Sequence, residues 1–355
     1  MNQKSLFKYS ISLFFFILAI AVFGKDQDEK KKYVEKSHKV IASTTLRIEN
    51  KFGKVEINSW DKSEFSIKVE MIGKGRNEEK AQKILDDINI DIKESGSEIS
   101  YSTEVPSNNK SKNDEGFEIN YTVYMPEKNV LKIKNSFGDV TMGNRASDLG
   151  LDVSYGSMKV GNVEGNSEIR LSFVNSGSIG NIKEGDFTIK YSKLDIESGT
   201  RLDIEQGFSD VEIGEVDNLE IESKYGAVEI EKARIVDAEA HFSSFEIEEL
   251  TGSLELDCSY LGDFSIGRLA KTFTLVDIDG KFGSYEINIE PGLSADIDAE
   301  FSFADLKVSS DVDAKFNYQV KESNKSTYRG KIGAGDPNKM IRIDSSYGNL
   351  RLRVD

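Results

Sequence analysis

The sequence predicts an all-β protein that winds as a parallel β-solenoid, or β-helix, of units about 17–18 residues long. An aromatic residue recurs along the chain, and from Phe137 to Tyr260 successive copies are 17 or 18 residues apart. Apolar residues flank each copy with a period of two, which is typical of strands. The chain has only 4 prolines and 29 glycines in 355 residues and is rich in Val, Ile, Tyr and Phe, a composition that favours sheet.

Twelve aromatic anchors define the repeat. Counted from each anchor, positions −6, −4, +3 and +5 are apolar in 42 of 48 cases, whereas positions −5 and −3 are apolar in none of 24. Each strand therefore has one inward and one outward face, and units this short must stack on one another to bury the inward face. The anchors are Phe52, Phe137, Tyr155, Phe173, Tyr191, Phe208, Tyr225, Phe242, Tyr260, Phe282, Phe303 and Tyr347.

The anchors alternate between Phe and Tyr from Phe137 to Phe282, and this alternation bears on the winding. A large ring at every level would crowd a narrow interior, so we expect two units to share one coil of about 36 residues. The alternative is one unit per coil, in a sequence that grew by duplication of pairs. Because the anchors share the register of Leu, Ile and Val, we expect their rings in the core.

The first 24 residues have the order of a secretory signal peptide. Lys4 and Lys8 precede an apolar run from Ile11 to Phe23, and Gly24 ends a small-residue cleavage site. The alternative is an uncleaved anchor, but a spanning helix needs about 20 apolar residues, more than this run supplies. We therefore expect an exported mature chain without a transmembrane span, located in the periplasm, on the outer surface or outside the cell.

The remaining chain divides into a lead segment, a first unit with an insertion, and the main repeat. The insertion contains an amphipathic pattern with Ala81, Ile84, Leu85 and Ile88 on one stripe, which predicts one short helix. The expected divisions are a signal peptide at 1–24, a lead segment at 25–45, the first unit with its insertion at 46–130 (helix 77–90, mobile loop 107–115), and solenoid repeats at 131–355 with an irregular loop at 323–338.

Charge and rare residues exclude several functional classes. The net charge is 46 − 62 = −16, which argues against a nucleic-acid partner. One cysteine and two histidines allow no internal disulfide and no Cys-based zinc cluster. We expect Cys258 to be a packed core thiol, His241 to point outward and His38 to be solvated. Trp60 is interpreted as a packing residue at the end of the stack rather than a sugar platform.

A ladder of carboxylates is the strongest candidate for a functional site. Residues 201–300 hold 25 acidic and 7 basic residues, a net charge of 7 − 25 = −18. One interpretation is a solvated face screened by salt; the other is a face that recruits Ca²⁺, whose preferred ligands are carboxylate oxygens, or a basic partner. No other cofactor is expected. The candidate residues are Asp203, Glu205, Glu220, Glu222, Asp237, Glu239, Glu255, Asp257, Asp277, Asp279, Asp298 and Glu300.

The stretch from Lys51 to Lys62 (KFGKVEINSWDK), the helix pattern after it and the repeated Phe/Tyr-Gly-x-Val-x-Ile units carry a family resemblance. The chain resembles the bacterial putative-adhesin family of exported β-strand-repeat envelope proteins, a domain class of unknown function. The resemblance covers nearly all of the mature chain. It implies export and a solenoid fold, and it brings no catalytic residues.

The function expected from these observations is that of an exported, non-enzymatic β-solenoid with an extended acidic surface for adhesion. Its partner would be a component of the cell envelope, the cell surface or a glycan. Two alternatives stay open: an envelope scaffold or sensor accessory, and a carbohydrate-active β-helix enzyme, which would need paired carboxylates in a groove.

Overall fold

The computed structural model describes residues 27–105 and 115–355. The predicted signal peptide and all of the predicted 107–115 loop except Glu115 lie outside the described residues. Within them the chain forms the expected β-solenoid, in which successive coils pair as parallel strands around one continuous apolar core.

One repeat unit makes one coil, so the expectation of two units per coil is wrong. Val211 lies in register with Leu194 of the preceding unit and Val228 of the next. The crowding argument fails because the anchor rings are not inside. The strands of this central stack are β8 (Leu131–Ser136), β9 (Val140–Met142), β10 (Leu149–Val160), β11 (Val163–Lys190), β12 (Lys193–Gly207), β13 (Asp210–Lys224), β14 (Ala227–His241), β15 (Ser244–Ser259), β16 (Phe264–Leu269), β17 (Leu275–Lys281) and β18 (Tyr285–Ile289).

Each coil has two long sides that meet at the anchor. In the coil around Phe208, Leu202 and Ile204 point inward before the corner, and Val211 and Ile213 point inward after it. Val216 closes the far side of the coil. Because the side-chain period is two, the residues between these positions face outward, as the sequence predicts.

The anchors themselves form an exposed corner, which contradicts their expected place in the core. All twelve have a left-handed backbone, with φ between 51° and 63°, and their rings are 37–58% exposed. The tight corner requires this conformation, and it interrupts the in–out alternation so that the anchor side chain points outward. A positive φ disfavours a residue that carries a Cβ by roughly 1–2 kcal/mol.

Stacking of the rings offsets that strain. Neighbouring anchors along the solenoid lie 4.7–5.1 Å apart between ring centroids, with planes within 11° of parallel. An aromatic pair contributes about 0.5–1.5 kcal/mol beyond area burial, similar in size to the backbone strain. We call this exposed stack of twelve rings the aromatic ridge.

The residue after the anchor is glycine, serine or alanine at ten of the twelve corners, with Val174 and Leu261 as the exceptions, because consecutive coils nearly touch there. A Cβ on Gly226 would lie 1.9 Å from the carbonyl oxygen of Ser209 in the coil below. Where serine occupies this position, its hydroxyl joins the corner: Ser209 Oγ donates to the Gly207 carbonyl and accepts from the Ser192 amide. Two small residues thus give two versions of one corner.

The N-terminal region closes one end of the stack. Its elements are β1 (Asp28–Lys39), β2 (Thr45–Lys51), β3 (Val55–Ser59), β4 (Glu64–Gly75), α1 (Glu78–Asp86), β5 (Asn89–Ser95), β6 (Glu98–Glu104) and β7 (Gly116–Met125). Strand β2 pairs in parallel with β6, strand β3 pairs in parallel with β7, and β7, β4 and β1 continue as an antiparallel sheet. Helix α1 is capped by Asn77, packs on β4, and ends before the predicted residue 90 because the chain enters β5 at Asn89.

His38 is buried in this region, so its expected solvation is wrong. It is 6% exposed, and its Nε2 lies 2.7 Å from the Tyr101 hydroxyl and its Nδ1 2.9 Å from Glu94 Oε1. His38 therefore links β1 to the β5–β6 hairpin. The sequence shows only the charged surroundings of His38 in β1, and the partners come from segments that are distant along the chain.

The C-terminal coil is inserted out of chain order. The strands of the C-terminal region are β19 (Ala295–Ser302), β20 (Leu306–Val308), β21 (Ala314–Lys321), β22 (Lys325–Ile332), β23 (Met340–Ser346) and β24 (Leu350–Val354). Strand β23 pairs with β17 on one edge and with β19 on the other, and β24 lies between β18 and β20. The predicted irregular loop at 323–338 instead contains β22, which pairs antiparallel with β19 and buries polar side chains that an apolar pattern does not reveal.

The aromatic ridge follows the spatial order of the coils rather than the chain order. Tyr347 stacks between Phe282 and Phe303. In sequence the alternation of Phe and Tyr breaks after Phe282, but in space it continues to the end of the stack. At the opposite end Phe117 covers Phe52 edge-on, at 5.0 Å between centroids.

Candidate functional site

The predicted carboxylate ladder forms two straight columns on one face, which we call the first acidic face. One column holds the residues at position −5, where Asp203, Glu220 and Asp237 are direct register partners. The second holds the residues at position −3, where Glu205, Glu222 and Glu239 follow one another in the same way. Glu255, Asp257, Asp277 and Asp279 extend both columns. None of these side chains is buried, and neighbouring levels are about 4.8 Å apart.

The last two predicted residues are separated from the others by the inserted coil. Arg342 lies between Asp277 and Asp298 in the first column, and Asp344 lies between Asp279 and Glu300 in the second. The inserted coil thus brings one cation and one further carboxylate into the face, and only the chain order hides this from sequence reasoning.

Counter-charges are concentrated at the C-terminal end of the first acidic face. Arg342 lies 2.7 Å from Asp277, and Arg329 of β22 lies 3.1 Å from Asp298 and 3.0 Å from Glu300. In the central coils Lys224 pairs with Glu222. Among the described residues, no ion pair involves the remaining central members of the columns. These are Asp203, Glu205, Glu220, Asp237, Glu239, Glu255, Asp257 and Asp279.

The carboxylates form rows rather than cages. Across residues 27–105 and 115–355, no three His, Cys, Asp or Glu side chains converge on one point as a metal site would require. Carboxylates one level apart could share a cation only through movement of their side chains or through water. The Ca²⁺ expectation therefore stays a prediction.

A second acidic face lies on the other side of the aromatic ridge, and the sequence analysis missed it. Asp195, Glu212, Glu229 and Glu246 stand in direct register at position +4. With neighbouring glutamates they line a shallow groove of about 610 Å³. Counting position +4 along the repeats would have found this column, because it needs no information beyond the anchor register. The further acidic residues of the groove are Glu197, Glu231 and Glu248.

One carboxylate on each face has a raised pKa. Burial, and then the neighbouring Glu212 carboxylate, raises the pKa of Asp195, although Lys193 opposes the shift. Burial, and then the carboxylates of Asp279 and Glu300, raises the pKa of Asp344. The like charges of adjacent coils thus act on one another at both faces.

The aromatic ridge separates the two acidic faces. Because the rings cover one another's faces, the solvent meets ring edges, which carry the positive end of the ring quadrupole. A sugar that stacks on an open ring face finds no such face along the interior of the ridge.

The other candidate residues have structural surroundings. Cys258 is 2% exposed as expected, its Sγ lies 3.6 Å from the Tyr285 hydroxyl, and burial raises its pKa to about 12, so it is a poor nucleophile. His241 is half-buried on the outer surface with Nδ1 2.8 Å from Ser259 Oγ. Trp60 donates from Nε1 to the Glu64 carbonyl and packs beside Tyr124 at the N-terminal end, as expected.

Arg145 is a buried cation that sequence reasoning did not single out. Arg145 is 1% exposed and lies on the far side of the coil around Phe137, at the position that Val216 occupies in the coil around Phe208. Its Nη2 donates to the carbonyls of Pro126 and Asn129. Burial lowers its pKa to about 10. These contacts make it a cap on the N-terminal end of the stack.

Comparison with solved structures finds bacterial proteins of low sequence identity. A putative cell adhesion protein from Clostridium sporogenes is 13% identical, with 92% of this chain and 100% of that chain covered and a TM-score of 0.20. A putative adhesin from Parabacteroides merdae is 8% identical, with coverages of 90% and 96% and a TM-score of 0.36. A putative adhesin from Bacteroides fragilis is 13% identical, with coverages of 90% and 97% and a TM-score of 0.30.

No curated protein matches the sequence significantly. In the described part of the chain, no helix has the length and apolarity needed to cross a membrane. Because the TM-scores are low, family membership rests on the sequence match to a family model, Toastrack DUF4097, over residues 43–353. That match spans every coil from the first anchor to the last, and the chain therefore belongs to the Toastrack DUF4097 family, a domain class of unknown function.

Proposed function

We propose that this protein is an exported, non-enzymatic β-solenoid that binds a cationic component of the cell envelope or cell surface through its acidic faces. The observation that carries the proposal is the run of carboxylates through five successive coils of the first acidic face, eight of which form no ion pair within residues 27–105 and 115–355. Like charges about 5 Å apart cost free energy in the isolated protein, and a cationic partner would recover it. The rigid stack keeps the charges in a straight array, which suits an extended partner.

Binding to an immobilised oligolysine peptide tests the charge chemistry. A variant with Glu220→Gln, Glu222→Gln, Asp237→Asn and Glu239→Gln removes four carboxylates from the centre of the first acidic face. The matched control removes four exposed carboxylates elsewhere: Glu79→Gln, Asp86→Asn, Asp311→Asn and Asp313→Asn. We expect the face variant to lose at least about tenfold in affinity and the control less than about twofold. Equal losses would mean that net charge alone drives binding and would overturn the assignment to this face.

Two further experiments address the localisation and the cation. N-terminal sequencing of the protein recovered from the envelope or medium should begin at or near Lys25, and intact Met1 in a membrane fraction would contradict export.

If the columns recruit Ca²⁺, millimolar Ca²⁺ should raise the Tm beyond the effect of NaCl at equal ionic strength. The same Tm in both salts would leave screening as the whole effect.

A further inference from the structure

The inserted C-terminal coil occupies a slot whose two walls precede it in the chain. β23 has seven register partners on β17 and seven on β19, so both of its edges are bonded. Strand β19 is made before β23, and it must leave a gap of one level above β17 for the last coil to enter. The coil therefore fills a gap between two coils that consist entirely of earlier residues.

The coil matches its slot in three independent ways. Arg342 enters between Asp277 and Asp298, and Arg351 and Arg353 lie 3.1 and 3.0 Å from Glu286. The ring of Tyr347 fills the gap between Phe282 and Phe303. Ile341 and Ile343 continue the buried core. The slot is thus specific for this coil in charge, ring stacking and apolar pattern.

The connection to the coil is short and turns at two glycines with a left-handed backbone. Residues 333–339 join β22 to β23, and within them Gly333 and Gly335 have φ values of 59° and 79°. The turn is closed by bonds from the Gly335 amide to the Ile332 carbonyl and from the Lys339 amide to the Asp336 carbonyl. We call residues 333–339 the hinge.

We propose that the C-terminal coil is exchangeable, so that two copies of this chain form a dimer in which each slot holds the coil of the other copy. Every contact of the coil with its slot is the same in both forms, and only the hinge changes, from a closed turn to an extended connection. The balance between the forms then depends on the conformational preference of the hinge and on protein concentration. Exchange preserves the aromatic ridge and both acidic faces, and it does not rest on the proposed function.

A hinge substitution with a matched control tests the proposal on the full chain. Gly335→Val strains the closed turn, since a β-branched residue resists positive φ, but it fits an extended hinge. Gly292→Val imposes a similar backbone strain, at φ 77°, in the turn between β18 and β19, which is unchanged by exchange. A Cβ at Gly335 would in addition lie 2.5 Å from Lys331 Cδ, at the far end of a flexible side chain, whereas one at Gly292 has no neighbour nearer than 3.8 Å. After refolding at high protein concentration, we expect the dimer-to-monomer ratio of Gly335→Val to exceed that of Gly292→Val by at least about tenfold.

A cross-link distinguishes exchange from any other dimer. Lys281 and Ser346 are register partners on β17 and β23, at a spacing of about 4.8 Å that a disulfide can bridge. One Gly335→Val chain carries Lys281→Cys and the other carries Ser346→Cys. Refolding the two together should give a disulfide-linked heterodimer, whereas mixing folded monomers should give none. Equal dimer ratios for the two glycine variants, or a dimer without this cross-link, would overturn the proposal.

Discussion

The central coils and the C-terminal coils share one core but differ in the charges outside it. Residues 201–300 carry a net charge of −18, whereas residues 301–355 have 10 basic and 7 acidic residues, a net charge of 10 − 7 = +3. In the centre, carboxylates face carboxylates in adjacent coils. At the end, arginines enter or flank the same columns. The difference shows that the stack tolerates like charges in series because the apolar interior, not the surface, holds the coils together.

The largest expected effect comes from a charge placed in the core. Ile221 and Ile343 occupy the same −4 position in a central and in the inserted coil, and both are buried. We expect Ile221→Asp to destabilise the whole stack by about 4 kcal/mol, and Ile343→Asp to release only the C-terminal coil. Urea unfolding, with hydrogen exchange as the probe of each strand, distinguishes loss of the whole stack from release of the C-terminal coil. Glu222→Gln, one residue along and facing outward, is the control, and an effect equal to that of Ile221→Asp would contradict the register.

A smaller effect is expected from the aromatic ridge. Tyr225 stacks on Phe208 and Phe242, so Tyr225→Ala should cost about 2 kcal/mol. Tyr225→Gly should cost about 1 kcal/mol less than Tyr225→Ala, because glycine accepts the positive φ without strain. Thermal and urea unfolding measure both changes. If alanine proved the better tolerated of the two, the account of a strained corner held by stacking would fail.

The comparison between regions is sharpened by Arg342. Removing its charge in Arg342→Gln leaves Asp277 and Asp298 without a cation between them, and we expect a loss of about 1 kcal/mol that shrinks in high salt. Lys68→Gln is the control, since the Lys68 side chain is about as exposed as that of Arg342 and its ion pair with Glu35 lies outside the columns. Equal small losses of stability in both variants would mean that Arg342 stabilises the fold no more than an ordinary surface ion pair does.

The smallest expected effect is a gain in stability from Asp344→Asn. Because the pKa of Asp344 is raised in the folded chain, its ionised form destabilises the fold at pH 7. The variant should be more stable than the wild type by less than about 1 kcal/mol at pH 7, and the gain should vanish below the ordinary carboxyl value of 3.8. Urea unfolding at the two pH values checks this, and a loss of stability at pH 7 would contradict the sign.

The period of two predicts the inward positions well, because in a strand the polarity of each residue indicates which side of the sheet its side chain faces. Ile204, Val211 and Ile213 are buried where the pattern places them. The same pattern fails at the anchors, since a left-handed residue reverses the direction of its side chain and nothing in its apolar character reveals the backbone angle. Counting the register further would have predicted the second acidic face as well as the first.

The local pattern does not predict the order of the coils or the contacts between segments that are distant along the chain. The coil around Tyr347 has the same local pattern as its neighbours, so the pattern cannot tell whether it follows Phe303 or enters before it. The broken alternation of Phe282, Phe303 and Tyr347 is the one signal in the sequence, and it becomes regular only when Tyr347 is moved between the other two. His38 likewise acquires its surroundings from β5 and β6.

Native-state hydrogen exchange at two salt concentrations tests the contrast between the regions most directly. Raising NaCl from about 0.05 M to about 0.5 M screens repulsion in the central coils and attraction in the C-terminal coil. We predict slower exchange for the amides of β13, β14 and β15 in high salt, and faster exchange for those of β23 and β24. A shift of the same sign in both regions would contradict the account.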